Sequence, residues 1–280
     1  MAYATLHFDC RDSPATLTFN RPEKRNALSP EMIEELLAAL DELEASEAHV
    51  GIVTGAGKAF SAGMDLDALK ALATQAQEHK ALKGGVGVIE GGLPRPPDAN
   101  LADSRRMARL FRRIYDFPKP LIAAVNGPAI AGGCGIATLC DFTLAAPEAR
   151  FGYTEVRIGF VPALVSVFLI RQIGEKRARE LLLSGRILDA EQACEIGLVN
   201  EVAPQERLLE RARELATELL DASPTSLIYT KRLLRELFKE QLDRDLDLAL
   251  QENARIRSTA DFREGLTAFL EKRKPVWRGE

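Results

Sequence analysis

The sequence predicts an α/β protein that becomes all-helical toward its carboxy terminus, on three observations. Two apolar runs of strand length, residues 50–54 and 121–125, each lead through a Gly-rich turn into a helix start. Repeated strand-turn-helix units of this kind imply α/β layering. Beyond about residue 204, Leu208, Leu209, Ala212, Leu215, Ala216 and Leu219 recur at helical spacing. The 280 residues, 46% of them hydrophobic, suffice for one large domain or one domain with a helical appendage. The chain is therefore divided into a core over residues 1–203 and a helical region over residues 204–280.

Thr5 to Phe8 and Ala15 to Phe19 cluster apolar residues on either side of turn-forming Asp12, Ser13 and Pro14, which predicts a hairpin. Ser29 then offers an N-cap, Pro30 a first helical residue and Glu31 an early acid, followed by Ile33, Leu36, Leu37 and Leu40. This pattern predicts a helix over about residues 30–46. The strand at 50–54 is followed by a loop over 55–63 and a helix beginning near Asp65, and the strand at 121–125 by a helix beginning near Gly133. Asp141 is expected to terminate that helix after Leu139. Dense Gly and Pro over residues 84–97 favour a loop. Further helices are predicted near 224–238, 241–257 and 260–271.

Composition narrows the function. With 37 basic and 41 acidic residues, a net charge of −4 exerts no global pull on nucleic acid. Cys10, Cys134, Cys140 and Cys194 form no CxxC pair and His7, His49 and His79 lie far apart, so no metal site is expected and the thiols suit a reducing compartment. The amino terminus has neither a basic nor an apolar leader segment, and no run approaches membrane-spanning length. A soluble cytoplasmic protein is the expectation.

The two Gly-rich turns carry the chemistry. Residues 57–66 and 119–135 each leave backbone N–H groups free at a helix start, where they can hold a negative oxygen. Two such turns can make a two-amide oxyanion hole. Taken singly, each reads equally well as a tight turn requiring positive φ or close backbone approach. A P-loop is excluded because Ala59 follows Lys58 where Ser or Thr is required and no Gly stands five residues before Gly57. The Gly132, Gly133, Gly135 spacing does not satisfy the dinucleotide fingerprint either.

Together with Glu155 in residues 151–162, and with the flanking segments 20–28 and 268–274, these turns resemble the crotonase superfamily of enoyl-CoA hydratases and isomerases. The resemblance covers nearly the whole chain. It implies a core built as a spiral of ββα units and terminal helices that assemble a homotrimer or a dimer of trimers. It also implies an acyl-CoA thioester substrate, in which CoA is the carrier portion and no metal, nicotinamide or flavin takes part. By residue-level match, the N–H groups of Met64 and Gly132 would be the oxyanion donors and Glu155 the proton-transfer group. Lys24, Arg25, Ala27, Ala62, Asp65, Leu66 and Gly133 would contact the acyl-CoA, with residues 272–274 reaching toward its 3′-phosphate or simply favouring a helix end. Residues 84–98 would form a flap over the acyl pocket.

In two-glutamate hydratases of this family a glutamate follows the Gly-Gly-Cys run, where this chain has Gly135. A glycine also stands there in the bacterial methylglutaconyl-CoA hydratase-like subgroup of leucine catabolism, which residues 100–107 and 155–163 resemble as well. A substrate of that kind carries a distal carboxylate, for which Arg157, Arg105 and Arg95 are candidates. The expected activity is hydration of a 2-enoyl-CoA, 3-methylglutaconyl-CoA or another branched acyl-CoA included, with Glu155 as the one carboxylate. The alternatives are a Δ3,Δ2-enoyl-CoA isomerase using Glu155 alone and a non-catalytic acyl-CoA-binding protein. For Glu155 itself, the competing role is a loop carboxylate paired with Arg157.

Overall fold

The hairpin forms as expected, β1 (Leu6–Asp9) pairing antiparallel with β2 (Ala15–Phe19). In the computed structural model, which describes residues 3–68, 70–71 and 98–279, this hairpin opens a six-stranded sheet. From β2 onward the pairing is parallel, through β3 (Gly51–Gly55), β4 (Leu121–Val125), β6 (Phe142–Ala145) and β9 (Glu201–Val202). A smaller sheet sets β5 (Ala129–Ile130) parallel to β7 (Arg150–Gly152) and β7 antiparallel to β8 (Ile187–Asp189). The flap expected over residues 84–98 lies, apart from Asp98, outside the described residues, as does Arg95.

Strands β3 and β4 are buried at every residue, because helices cover both faces of the parallel sheet. On one face lies α1 (Pro30–Ala45), started by the Ser29 side chain accepting from Met32 N and burying Ile33, Leu36, Leu37, Leu40 and Leu43. That side of the core also takes in α2 (Asp98–Tyr115), α3 (Gly132–Leu139), α4 (Ala163–Ile173), α5 (Glu175–Ser184) and α6 (Ala190–Glu195). The other face is closed by α7 (Leu208–Leu220), whose Leu208, Ala212 and Ala216 pack on Val50, Ile52, Ile122, Ala124 and Leu144.

The helices expected near 224–238 and 241–257 are one continuous element, α8 (Pro224–Ile256) of 33 residues. Ser223 caps it by accepting from Ser226 N, and no Gly or Pro after Pro224 interrupts it, so the polar stretch around Lys239 and Glu240 stays helical. Its second half joins the main core through Leu242, Leu246 and Ala249, against α2 and α4. Its first half leaves Tyr229, Leu233, Leu234, Leu237 and Phe238 exposed on the single chain. The chain closes with α9 (Ala260–Leu270), capped by Thr259. Helix α3 ends at Leu139 as expected, but Asp141 serves elsewhere: its Oδ2 accepts from Leu121 N at 2.8 Å and from Lys231 Nζ at 2.5 Å. No helix among the described residues is long and apolar enough to cross a membrane.

Candidate active site

The two Gly-rich turns, some seventy positions apart in sequence, are zipped side by side. Ser61 N donates to Pro128 O at 3.1 Å and Ile130 N donates to Ser61 O at 2.9 Å. Gly63 has φ +84°, and a Cβ there would lie 2.7 Å from Ile130 O and 3.3 Å from Gly132 N, so only glycine allows this approach. Leu28 bridges to Met64 by giving its N–H to Gly63 O and accepting from Asp65 N. That pattern turns the Met64 N–H away from Leu28. Ala131 is held at φ +51° with its N–H on Gly152 O at 2.7 Å, a conformation costly for a non-glycine residue. It ends the turn so that Gly132 is the first residue of α3, with an N–H that no residue of the helix can accept.

Met64 and Gly132 face one cavity of about 690 Å³ together with Glu155. Its interior walls are Met107, Phe111, Phe160, Val161 and Val165. Glu155 opens a 3-10 turn (Glu155–Ile158) directly after β7, closed by Gly159 at φ +67° and by Phe160 N donating to Glu155 O. Its side chain is buried, and Oε2 has no hydrogen-bond partner among the described residues. Loss of hydration pushes its carboxyl up to about 7, offset only in part by a hydrogen bond from its own backbone N–H. Arg157 is exposed and forms no ion pair with Glu155, so the paired loop-carboxylate role is set aside.

Position 135 is closed to a second carboxylate. A Cβ on Gly135 would lie 2.8 Å from Val165 Cγ1 and 3.0 Å from Phe111 Cζ. Both neighbours are buried core side chains, and Val165 is stiff at χ1. Gly135→Glu is therefore expected to give no gain in turnover and to cost about 2–4 kcal/mol of stability, from overpacking and from burying a carboxyl. Parallel assays and urea melts of the variant check both.

Lys24, Arg25, Ala27, Ala62, Asp65 and Leu66, which the structure brings together, line the same cavity, as does Arg157, with Lys24, Arg25 and Arg157 exposed. Arg21 fixes this loop, donating from Nη1 to Ala27 O at 2.6 Å and pairing from Nη2 with Asp65 at 3.1 Å. Ala62 N donates to Arg25 O at 2.9 Å, and exposed Lys24 pairs with Asp67 at 3.1 Å. Gly133, expected among the acyl-CoA contacts, does not line the cavity: a Cβ there would lie 2.5 Å from Ser61 O, so this glycine serves the zipping of the turns. Arg105 points outward on α2, exposed and away from the cavity. Of residues 272–274, Arg273 pairs with Glu264 of α9 at 2.6 Å. Two cavity residues carried no sequence signal, Asn253 and Arg257, because their partners Ser104 and Asp103 lie about 150 positions away.

Paired backbone turns and the buried Glu155 carboxyl opening on a shared cavity, mounted on parallel sheet and helices, define a crotonase-fold enzyme. Comparison with known proteins bears on the class directly. The enoyl-CoA hydratase/isomerase family model matches residues 10–86 and 95–280. A Thermus thermophilus protein named provisionally as an enoyl-CoA hydratase is 47% identical over 262 residues, covering 93% of this chain and 96% of its own. The 2,3-dehydroadipyl-CoA hydratase of Escherichia coli is 36% identical over 268 residues, 94% of each chain. A crystal structure of an enoyl-CoA hydratase/isomerase from Xanthobacter autotrophicus matches with a TM-score of 0.81 at 32% identity, over 97% of each chain. The chain belongs to the enoyl-CoA hydratase/isomerase family.

Proposed function

We propose that the protein adds water across the double bond of a 2-enoyl-CoA, with Glu155 as the one proton-transfer group and the Met64 and Gly132 N–H groups as the oxyanion hole. The observation that carries this is the buried Glu155 on the wall of the cavity that Met64 and Gly132 also line, its Oε2 without a hydrogen-bond partner among the described residues and its carboxyl pushed up to about 7 by loss of hydration. A carboxyl balanced at that value exchanges a proton in either direction near neutrality. As carboxylate it takes a proton from water while the water oxygen bonds to C3. The electron pair of the double bond moves toward the thioester oxygen, where the two amides receive it. Glu155 then returns the proton to C2, so one water is consumed and the carboxylate is regenerated.

Branched or carboxylated acyl groups, 3-methylglutaconyl-CoA among them, are the proposed substrates. The E. coli relative, named for a dicarboxylic acyl-CoA, supports that choice. Mass-resolved product analysis with 3-methylglutaconyl-CoA, crotonyl-CoA and a 3-enoyl-CoA tests the reaction. Gain of 18 Da (about one water), lost in Glu155→Gln, is the expected result. Double-bond migration without mass gain would instead make the protein an isomerase, a reading favoured by the single carboxylate that position 135 enforces.

Assembly as a homotrimer or a dimer of trimers is proposed on the same family basis. The exposed apolar residues of the first half of α8 support it. Molar mass from light scattering should come out at three or six times the 30.8 kDa chain.

A further inference from the structure

Hydration has no use for a buried arginine, yet one lines the cavity. Arg257, directly after α8, is 4% exposed and stands over the Phe160 ring, 5.4 Å from its centroid. Its Nη1 donates to Asp103 Oδ2 at 2.6 Å and its Nη2 to Asn253 Oδ1 at 3.1 Å. Its Nε is buried with no acceptor among the described residues. A guanidinium has five N–H donors in a planar fork, and a buried charged donor left without a partner is costly. Nε itself is sealed from the cavity, but Nη1 and Nη2 each keep a second N–H, and the residue borders the cavity.

The local charge balance says which kind of acceptor. Asp103 is shared, its Oδ2 held by Arg257 and its Oδ1 by Arg106 at 3.1 Å. Asp103 is thus divided between two guanidiniums, and Arg257, unlike the 31% exposed Arg106, has no second carboxylate partner among the described residues. Position says which part of the ligand. The cavity-lining cations Lys24 and Arg25 are exposed, as a nucleotide site requires. Arg257 is buried in the wall of the same cavity.

We infer that Arg257 recognises a carboxylate at the far end of the acyl chain, the guanidinium donating a remaining Nη N–H to the carboxylate while Asp103 and Asn253 hold it in place. The substrate class is then a 2-enoyl-CoA with a distal carboxylate. For the reaction, this rests on the hydratase reading; for binding, it stands alone.

Titration calorimetry of the unmodified protein with glutaryl-CoA and butyryl-CoA tests it without any variant. Glutaryl-CoA should bind at least about tenfold tighter, through one desolvated charge-assisted pair. Equal or weaker binding overturns the inference. Arg257→Met, and Asp103→Asn with Arg257→Met so that no buried carboxylate is stranded, should lower the ratio of kcat/KM on a carboxylated over an uncharged enoyl-CoA by about tenfold or more, chiefly through KM. Arg257→Lys should restore part of it. A folded variant that keeps the full ratio also overturns it. Hydration without carboxylate preference would leave the reaction standing and remove the role of Arg257. Carboxylate preference in binding without hydration would do the reverse.

Discussion

Glu155→Gln should lower kcat for hydration by about 10²–10⁴-fold, roughly 3–5 kcal/mol of barrier, while acyl-CoA still binds. Gln keeps the size and the hydrogen-bonding shape but cannot carry a proton to and fro. In the parent, kcat/KM should rise with pH through about 7, as the buried carboxyl ionises and becomes able to take a proton from water. The variant should lack that limb. Stability gives an independent sign. The carboxyl is raised from 4.5 to about 7 on folding, so the native state binds more protons between those values and becomes less stable as pH increases across them. Above pH 8 the ionised, buried carboxylate costs on the order of 3 kcal/mol, a penalty that Gln does not incur. Urea unfolding at pH 8 should therefore find the variant more stable than the parent, with the two converging near pH 4. A variant that is inactive and less stable at pH 8 would place the loss in the fold and not in the chemistry.

Gly132→Pro should lower kcat by about 10²–10³-fold, the effect of deleting one oxyanion donor. The substitution removes the N–H at the first position of α3, where proline suits the helix. Ala131, in front of it, is at φ +51° and ψ −123° and so is outside the helical region that a following proline disfavours. The control is Gly132→Ala, which keeps the N–H. Its Cβ would meet Leu28 Cδ1 at 3.5 Å, Met107 Cε at 3.7 Å and Phe111 Cζ at 3.8 Å, all ordinary contacts. Alanine should stay within about an order of magnitude of the parent, less than one lost donor. Equal losses in the two variants would mean that space at position 132, and not its amide, matters.

What the sequence made legible was local. Apolar runs at 50–54 and 121–125, each entering a Gly-rich turn, announced β3, β4 and the paired turns, because strand burial and positive φ both leave a mark on nearby residues. Ser29, Pro30 and Glu31 announced the start of α1 for the same reason. The boundary expected near residue 240 was wrong because solvated polar residues and a helix break look alike when no Gly or Pro decides between them. Gly135 was visible as a departure from two-glutamate relatives, but its cause was not: Phe111 and Val165 come from α2 and α4 and meet it only in the folded chain. The Asp103 and Arg257 pair was beyond reach of sequence altogether, since 154 positions separate two residues that each pass for surface charge.

The unbroken run of α8 has a mechanical meaning. At 33 residues it is a rod of roughly 50 Å, with the exposed apolar residues Tyr229 to Phe238 toward one end and Asn253, a wall of the cavity, toward the other. Leu242, Leu246 and Ala249 seat the stretch beside the cavity in the core, so one unbroken element joins the exposed apolar residues to the cavity wall, and whatever covers the outer end bears on that same helix.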